Sequence, residues 1–483
     1  MSQLPSCRVS FPRAPLRVVT LASLCMAWGL PAAAAGQDKA ILAQLQRLTE
    51  RLQQVEQRNV ELERQLQALS RQTPAPQSAT LPDQTVRLQQ LEDQNKVLLE
   101  RVEALSRAPE LPEAVSEREG PTFEASVVAV GQQLNKGASA TGKSETRAAY
   151  RGDLMVTMPA GSIGDAQATV LGHVRFGQGE GVALKDGVFT GAVNSVGFQT
   201  AAGADDSFAI LAQAYVNLEW PLSSDGFNDL KGNRVELTAG KIDMFGFFDQ
   251  NAVAGDEASQ FLNNVFVHNP LLDSGGDIAA DNYGFAPGVR VGYYTKADGP
   301  WAWGVSLGLF SAGDSARFEG GMGQPLAIAQ VELSPMQING EPRGSYRLYA
   351  WTNGQTTDVT DTVRERHSGV GVSVDQRIGR DWNVFGRWGK RTVGEGAFNE
   401  ALTLGFEMGG RGWGRGQDGV GFAIGSLKGT GDAGSEYLAE LYYRWRLNDH
   451  IELSPDLQWI RNPGGDSDAA DVRVIGLRAS FGF

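Results

Sequence analysis

The carboxyl-terminal segment of the chain alternates between two kinds of residue up to its last position. One face carries Ile475, Leu477, Ala479, Phe481 and Phe483, and the other carries Val474, Gly476, Arg478, Ser480 and Gly482. A period of two residues indicates a β-strand, because successive side chains point to opposite faces. An apolar face opposite a small or polar face is typical of a strand that separates lipid from water.

The same alternation recurs in earlier segments. Its apolar face is predicted to hold Tyr437, Ala439, Leu441, Tyr443, Trp445 and Leu447 in one segment, Leu453, Leu457 and Trp459 in the next, and Ala212, Ala214, Val216, Leu218 and Trp220 further upstream. About sixteen strands are predicted in this way, near 123–130, 147–158, 166–176, 208–220, 234–241, 285–295, 301–310, 326–334, 344–353, 368–377, 383–391, 400–408, 418–427, 435–447, 451–460 and 472–483. We therefore predict an all-β fold, a transmembrane antiparallel β-barrel of about sixteen strands, because such barrels have an even strand number.

The predicted connections differ in length between the two ends of the barrel. If both ends of the barrel domain face the periplasm, the joins at 159–165, 296–300, 378–382 and 448–450 lie on the periplasmic side, and all are short. The long segments 177–207 and 242–284 then face outward, as is usual in bacterial outer-membrane barrels. The alternative of a soluble β-sandwich would need a dry core, which the charged residues on the inner face of nearly every strand disfavour.

Composition excludes several classes of function. Both cysteines, Cys7 and Cys25, precede Ala35, so a chain cleaved after Ala35 has no thiol for disulfides, nucleophilic catalysis or thiolate metal sites. The four histidines are widely spaced, and we predict neither a metal centre nor a cofactor. A net charge of −13 argues against nucleic acid as a partner, because phosphate binding requires clustered Lys and Arg.

Three segments are predicted ahead of the barrel. Arginines before the apolar stretch Val18–Leu30, followed by small residues up to Ala35, predict a cleaved export signal over 1–35. Leucines at spacings of three and four predict a short α-helical coiled coil over 36–107. The sequence LQQVEQRN of this segment recurs further along as LQQLEDQN, which indicates a duplication. A linker rich in Pro and Glu covers 108–121, and the barrel follows over 122–483.

Asn59 and Asn95 occupy core positions of the predicted coiled coil. A buried Asn penalises misregistered partners, so we predict that both residues fix the register of association between subunits. The alternative is that the two helices pack against each other within one chain. We expect this segment to lie in the periplasm and to contact the cell wall.

Two stretches of the predicted barrel resemble a known family. The chain reads GKIDMFGFFDQNAVAGDEASQFLNNVFVHNPLLDSGGDIAADNYGFAPGVRVGYY at 240–294 and LYYRWRLNDHIELSPDLQWIRNPGG at 441–465. Both stretches are similar to carbohydrate-selective porins of the OprB family, and the resemblance extends over residues 121–483. It implies a sixteen-stranded outer-membrane pore, commonly a homotrimer in the lipid bilayer, that passes sugars. The coiled coil departs from the plainest members of that family.

The longest predicted loop, 242–284, is too long for a simple connector and is predicted to be functional. In porins with sixteen strands this third outer loop folds into the lumen and narrows it. It contains no Lys or Arg, and we predict that its acidic residues line the pore constriction: Asp243, Asp249, Asp256, Glu257, Asp273, Asp277 and Asp281. Its phenylalanines and asparagines suit a sugar, because ring faces pack on C–H groups and amides pair with hydroxyls. The alternative is that each phenylalanine anchors the loop to the barrel wall.

Basic residues of later strands are predicted to face this loop. They are Arg347, Arg387, Lys390, Arg391, Arg444 and Arg446. An acidic loop opposite a basic wall would give a transverse field that orients polar solutes. Ordinary salt bridges inside the lumen would use the same residues.

The function expected from these features is passive diffusion of small hydrophilic solutes, with sugars favoured, through an outer-membrane porin. The alternative is a general or cation-preferring porin whose coiled coil tethers the outer membrane to the cell wall. We expect no enzymatic activity, because neither His173 nor His367 is accompanied by a Ser or Thr motif that would supply a nucleophile.

Overall fold

The computed structural model describes residues 120–198, 206–222, 233–295, 299–319, 322–336, 342–357 and 364–483. The predicted export signal, the coiled coil with Asn59 and Asn95, and the linker up to residue 119 lie outside the described residues. The strands are β1 (Thr122–Leu134), β2 (Glu145–Ile163), β3 (Ala166–Gln178), β4 (Phe208–Pro221), β5 (Arg234–Ile242), β6 (Ala286–Tyr294), β7 (Trp301–Phe310), β8 (Leu326–Pro335), β9 (Gly344–Thr357), β10 (Arg364–Ile378), β11 (Trp382–Val393), β12 (Phe398–Gly409), β13 (Gly419–Gly429), β14 (Ser435–Arg446), β15 (Ile451–Arg461) and β16 (Val472–Gly482). One helical turn, α1 (Asn264–Val267), and short 3-10 helices at Lys136–Ala138, Met244–Gly246, Gly313–Arg317, Gly410–Trp413 and Pro463–Gly465 lie in the connections.

The sixteen strands form one closed antiparallel barrel in which every strand pairs with its neighbours in sequence. The closing pair joins β1 to β16, from Ser126 opposite Gly482 to Leu134 opposite Val474. Closure gives both terminal strands a hydrogen-bonded partner, which a membrane requires because lipid offers none. The predicted barrel fold is confirmed.

The hairpin between β2 and β3 is tighter than the sequence predicted. The strands continue to Ile163 and resume at Ala166, so the predicted join at 159–165 is mostly strand. The pairing shifts register between Pro159 and Ser162, where a proline without an amide hydrogen is tolerated. Gly164 makes the turn with a φ of +62°, a left-handed conformation that glycine adopts without a steric penalty.

A β-bulge in β4 corrects one outer-face assignment. His173 pairs with Gln213, but the next residue, Val174, pairs with Leu211, so Ala212 is the extra residue. Ala212 has no exposed surface, whereas Leu211 is exposed on the outer face. The prediction that Ala212 faces outward is therefore wrong, because a strict period of two holds only between bulges.

The outer face of the barrel is apolar and lacks a protein partner within the described chain. Large side chains exposed there include Leu307, Leu309, Leu402, Leu404, Ile424, Leu441, Leu457, Ile475 and Leu477. Trp301, Trp303, Trp382 and Trp445 lie near the short-turn end, and Tyr437 and Trp459 lie near the long-loop end. Apolar side chains between two aromatic girdles are typical of a barrel in a bilayer.

Among the described residues, no helix has the length and apolarity needed to cross a membrane.

The segment between β5 and β6, residues 243–285 and here named the third loop, folds into the barrel. Phe261 of this loop packs within 5.6 Å, between ring centroids, of Phe385 on β11 and within 5.0 Å of Tyr442 on β14. The wall makes room through Gly389, because a Cβ there would lie 2.6 Å from the Asn269 side-chain oxygen. The predicted long outer loop is thus part of the barrel's buried core.

Candidate functional site

Asp249 attaches the third loop to the barrel wall. Its carboxylate accepts hydrogen bonds from the Arg387 guanidinium at 3.1 Å and from the Tyr349 hydroxyl at 2.7 Å. It also accepts the backbone N–H of Asn269 in its own loop at 2.6 Å. Asp249 and Arg387 are almost completely buried, and each neutralises the other's charge. An unpaired charge at either position would be costly to bury.

Asp277 forms a second attachment further along the third loop. It accepts hydrogen bonds from Arg391 Nη2 at 2.7 Å and from the Trp351 indole at 3.0 Å. His367 Nδ1 lies 2.8 Å from the same carboxylate. Asp277 has no exposed side-chain surface. Asp249 and Asp277 therefore lie at the junction of loop and wall, away from open space.

Two glutamates of β14 hold loop backbone directly. Glu440 accepts the N–H groups of Leu262 and Asn263 in the third loop, at 2.6 and 3.0 Å. Glu436 accepts the N–H groups of Phe189 and Thr190, at 2.8 and 2.9 Å, in the second loop, which spans 179–207. Both glutamates alternate with Tyr437, Ala439 and Leu441 of the predicted outer face and are therefore expected to point inward, but only the structure shows that they bind backbone amides.

The other predicted basic residues are also paired. Arg347 donates to Asp375 at 3.0 Å and to the Gln250 carbonyl of the third loop at 2.7 Å. Arg444 makes two hydrogen bonds of 2.9 Å to Glu407, and Arg446 donates to Glu452 at 3.2 Å. A transverse electric field across the pore stays a prediction. Each of these three arginines is largely neutralised by a nearby carboxylate.

Lys390 lies on the opposite face of the barrel wall from the other predicted basic residues. It pairs across β11 and β12 with Glu400, and its neighbours Gly389 and Arg391 are the buried, inward-facing positions. The prediction that Lys390 faces the third loop is wrong, because adjacent strand residues cannot both point inward.

The remaining predicted acids fall into two groups. Asp256 accepts the N–H of Ala258 within its own loop, and Asp281 forms an ion pair of 2.9 Å with Lys241. The other three, Asp243, Glu257 and Asp273, line a common cavity.

This cavity, of about 460 Å³, lies between the second loop, the third loop and the inner wall at β2 and β3. Its charged lining residues are Arg151, Arg175, Asp243, Glu257 and Asp273. Its rings come from Phe198, Phe245, His268, Tyr283 and Phe285, and its amides from Asn194, Asn264 and Asn282. The His268 ring stacks on Phe245 with a centroid distance of 3.7 Å and an interplanar angle of 2°. The lining thus combines flat apolar faces with hydrogen-bonding groups of both signs.

Arg151 and Arg175 are the cavity's cations, and the sequence-based prediction did not select them as basic wall residues. Arg151 Nη1 lies 2.7 Å from Glu257, and its Nε lies 3.1 Å from Asp153. Arg175 donates to Asp153 at 2.6 Å, and its guanidinium lies 5.2 Å from the centre of the Phe285 ring. Alternation predicts that Arg175 lies opposite the outward Val174, and the same rule could have placed Arg151 inward, but the contact of these arginines with the third loop depends on how that loop folds.

The acids of the cavity titrate differently from one another. Burial raises the pKa of Asp243 to about 6, although the Arg175 charge partly opposes this. Burial and the nearby charges of Glu257 and Asp243 raise the pKa of Asp273 to about 7. Burial would also raise the pKa of Glu257, but Arg151 and Arg175 outweigh it and lower that pKa to about 2.

These pKa values predict a selectivity that changes with pH. As pH falls from 8 to 5, Asp273 and then Asp243 take up protons, whereas Glu257 stays ionised. The cavity loses negative charge, so we expect the ratio of cation to anion permeability to fall. The reversal potential of a planar bilayer under a KCl gradient measures this ratio.

The matched control is the double variant Asp243→Asn/Asp273→Asn. Its reversal potential should stay constant between pH 8 and 5, near the value that the unmodified protein reaches at the acidic end. A constant reversal potential in the unmodified protein would contradict the assignment of these two carboxylates to the conducting path.

No group of three His, Cys, Asp or Glu side chains that could hold a metal ion is found within the described ranges.

A family model described as "Carbohydrate-selective porin, OprB family" matches residues 173–483, which is more than half of the chain. The chain belongs to this family. Its closed sixteen-stranded barrel is therefore that of a porin, through which solutes diffuse across the outer membrane. The resemblance noted at 240–294 and 441–465 is confirmed for the barrel.

The individual proteins that match this porin share a small part of its sequence. The solved high-pH structure of Pseudomonas putida OprB is 17% identical to this porin, with a TM-score of 0.58, and the match covers 76% of this chain and 95% of that one. This likeness shows the fold. An uncharacterized protein of Aquifex aeolicus (strain VF5) is 25% identical over 257 residues, 53% of this porin and 67% of that protein. An uncharacterized Nostoc protein is 38% identical over 47 residues, and this porin spans only 8% of its length.

Proposed function

We propose that this porin is a passive channel for small hydrophilic solutes in which carbohydrates are preferred. The observation that supports this proposal is the lining of the cavity beside the third loop. It places the stacked Phe245 and His268 rings next to the ion pair of Arg151 and Glu257. A sugar presents both a C–H face and hydroxyl groups, so it matches both parts of this lining.

The protonation states of the lining suit hydroxyl groups. Burial, together with the Arg387 charge, lowers the pKa of His268 to about 3, so its ring is neutral at physiological pH. A neutral ring is less strongly hydrated than a charged one, so contact with the C–H groups of a sugar costs less desolvation. Arg151 and Arg175 supply donors, and Glu257 supplies acceptors that stay ionised. A hydroxyl group donates and accepts at once, so it can bridge such groups.

Replacement of Tyr283 tests the aromatic part of this lining. Tyr283 borders the cavity and packs 5.6 Å from Phe198 between ring centroids. For Tyr283→Ala we expect the affinity for a blocking sugar to fall by about fivefold, in the range that aromatic contacts contribute. The measurement is the reduction of ion current in a planar bilayer as glucose or a longer maltodextrin is added.

Tyr293→Ala is the matched control, because Tyr293 lies on the outer face of β6, where it packs against Trp303. Its sugar affinity should equal that of the unmodified porin. Equal block of the ion current by sugar in both variants would count against a solute contact at Tyr283. Swelling of porin liposomes in sugars of graded size would then test passive diffusion independently of that contact.

A preference for cations is the second candidate function. It is favoured by a third loop with no Lys or Arg and by the three acids that face two arginines in the cavity. At pH 8 this balance would favour cations, and the pH dependence described above separates it from a pore without charge preference.

We propose a homotrimer with an exported amino-terminal segment. Support for the trimer comes from the family resemblance and from small outer side chains, such as Ala129 opposite Ala479, that would let a second copy approach closely. Support for a cleaved signal over 1–35, a periplasmic coiled coil over 36–107 and a linker over 108–121 comes from the sequence alone. Contact of the coiled coil with the cell wall rests on the same pattern.

A further inference from the structure

The outer wall of the barrel has a hollow near its long-loop end. Its volume is about 300 Å³, and its sides come from Leu402, Ile424, Tyr437 and Trp459. Its floor is formed by the small residues Ser426 and Ala439. In the register of the sheet, Ser426 lies between Leu402 and Tyr437, and Ala439 lies between Ile424 and Trp459. Small side chains flanked by large ones leave a groove on the face that meets lipid.

Three cations border this hollow on the side of the long loops. Lys428 follows Ser426 on the same face of β13, and Arg461 follows Trp459 on the same face of β15. Arg473 of β16 pairs directly with Trp459. All three are exposed. Within the described chain, Arg461 and Arg473 have no salt bridge, and Lys428 has a carboxylate oxygen of Glu400 only at the limiting distance of 4.0 Å.

The acids near the hollow have other partners. Glu400 accepts the Trp388 indole N–H at 3.1 Å, and Asp471 accepts the Trp459 indole N–H at 3.1 Å. These bonds orient the two tryptophan rings at the edge of the apolar band. The cations therefore stand where lipid headgroups lie, just beyond a girdle of aromatic residues.

We propose that this surface binds a phosphorylated glycolipid of the outer leaflet, with an acyl chain in the hollow and phosphates on Lys428, Arg461 and Arg473. The spread of the cations favours this lipid over one with a single phosphate. β13, β15 and β16 span three strand spacings, or about 15 Å, which is wider than one phosphate group but matches a headgroup with two phosphates. The site lies outside the lumen, so it does not depend on which solute the porin passes.

The test is binding of lipid A to the purified full-length porin in detergent, measured by native mass spectrometry. For Lys428→Ala/Arg461→Ala/Arg473→Ala we expect the affinity to fall by at least about tenfold, because each cation near a phosphate layer contributes to binding. The matched control Arg343→Ala/Arg377→Ala/Arg380→Ala removes three exposed cations at the short-turn end and should bind lipid A like the unmodified porin. Dephosphorylated lipid A should bind the unmodified porin as weakly as lipid A binds the triple variant.

A second variant tests the hollow with the cations intact. Ala439→Trp fills the floor, and we expect weaker binding of lipid A together with unchanged single-channel conductance, because residue 439 faces away from the lumen. This variant also tests the proposed binding of lipid A if the triple variant does not fold. The proposal would be overturned if both variants bound lipid A like the unmodified porin, or if phosphatidylglycerol, which has one phosphate, bound as tightly as lipid A.

Discussion

Deletion of residues 254–281 is expected to raise the single-channel conductance by at least about twofold, because the narrowest section of a pore limits its ion flow. This segment contributes Glu257, His268 and Asp273 to the cavity lining and fills the barrel beside Tyr442 with Phe261. Wall groups that now bind the loop, such as Arg391 and Glu440, would then face a wider, water-filled lumen and be solvated. Planar-bilayer recording of single channels in KCl measures the effect.

The matched control is a deletion of residues 467–469 in the loop between β15 and β16. These residues lie outside the cavity, so the conductance should stay at the value of the unmodified porin. An unchanged conductance after deletion of 254–281 would remove the third loop from the constriction.

Asp277→Ala is expected to detach the middle of the third loop from the wall. The substitution leaves the buried Arg391 guanidinium without its carboxylate, and removal of one partner of a buried ion pair typically costs about 3–5 kcal/mol. His367 and the Trp351 indole lose their acceptor as well. We expect fluctuating conductance within single openings and faster cleavage of the loop by an added protease.

Asp256→Ala is the control in the same loop, because Asp256 is exposed and, among the described residues, its carboxylate accepts hydrogen bonds from Ala258 and Ser259 of its own segment. It should show steady conductance and the protease resistance of the unmodified porin. Asp277→Asn should fall between the two variants, since an amide oxygen still accepts hydrogen bonds but carries no charge. Equal behaviour of Asp277→Ala and Asp256→Ala would show that other contacts hold the loop.

Both results would follow from the way the wall holds the loop. Asp249 and Asp277 come from the third loop and meet Arg387 and Arg391, two positions that face the same side of β11. Glu440 holds the intervening segment through its backbone amides. Three separate buried attachments keep the loop in one position and therefore fix the shape of the cavity.

The sequence alone determined which parts of the chain are strands and which side chains point inward. Alternation is a local property, because each side chain's direction follows from its own place in a strand. It placed Glu436, Glu440 and Arg478 inward and Leu457 and Trp459 outward, as the structure has them. Consistent use of that rule would also have put Lys390 outside, since Arg391 beside it was placed inside.

The tertiary structure alone decided which inward charges meet each other. Arg151 contacts Glu257, and Arg391 contacts Asp277, across separations of 106 and 114 residues, so these pairs depend on the path of the third loop. The bulge at Ala212 likewise appears only when β3 and β4 are paired. Seven acids of one loop look alike in the sequence, but burial and neighbouring charge make two of them wall attachments and three of them the lining of a cavity. The physical reason is that pairing and solvation are properties of two distant segments together, which no local pattern contains.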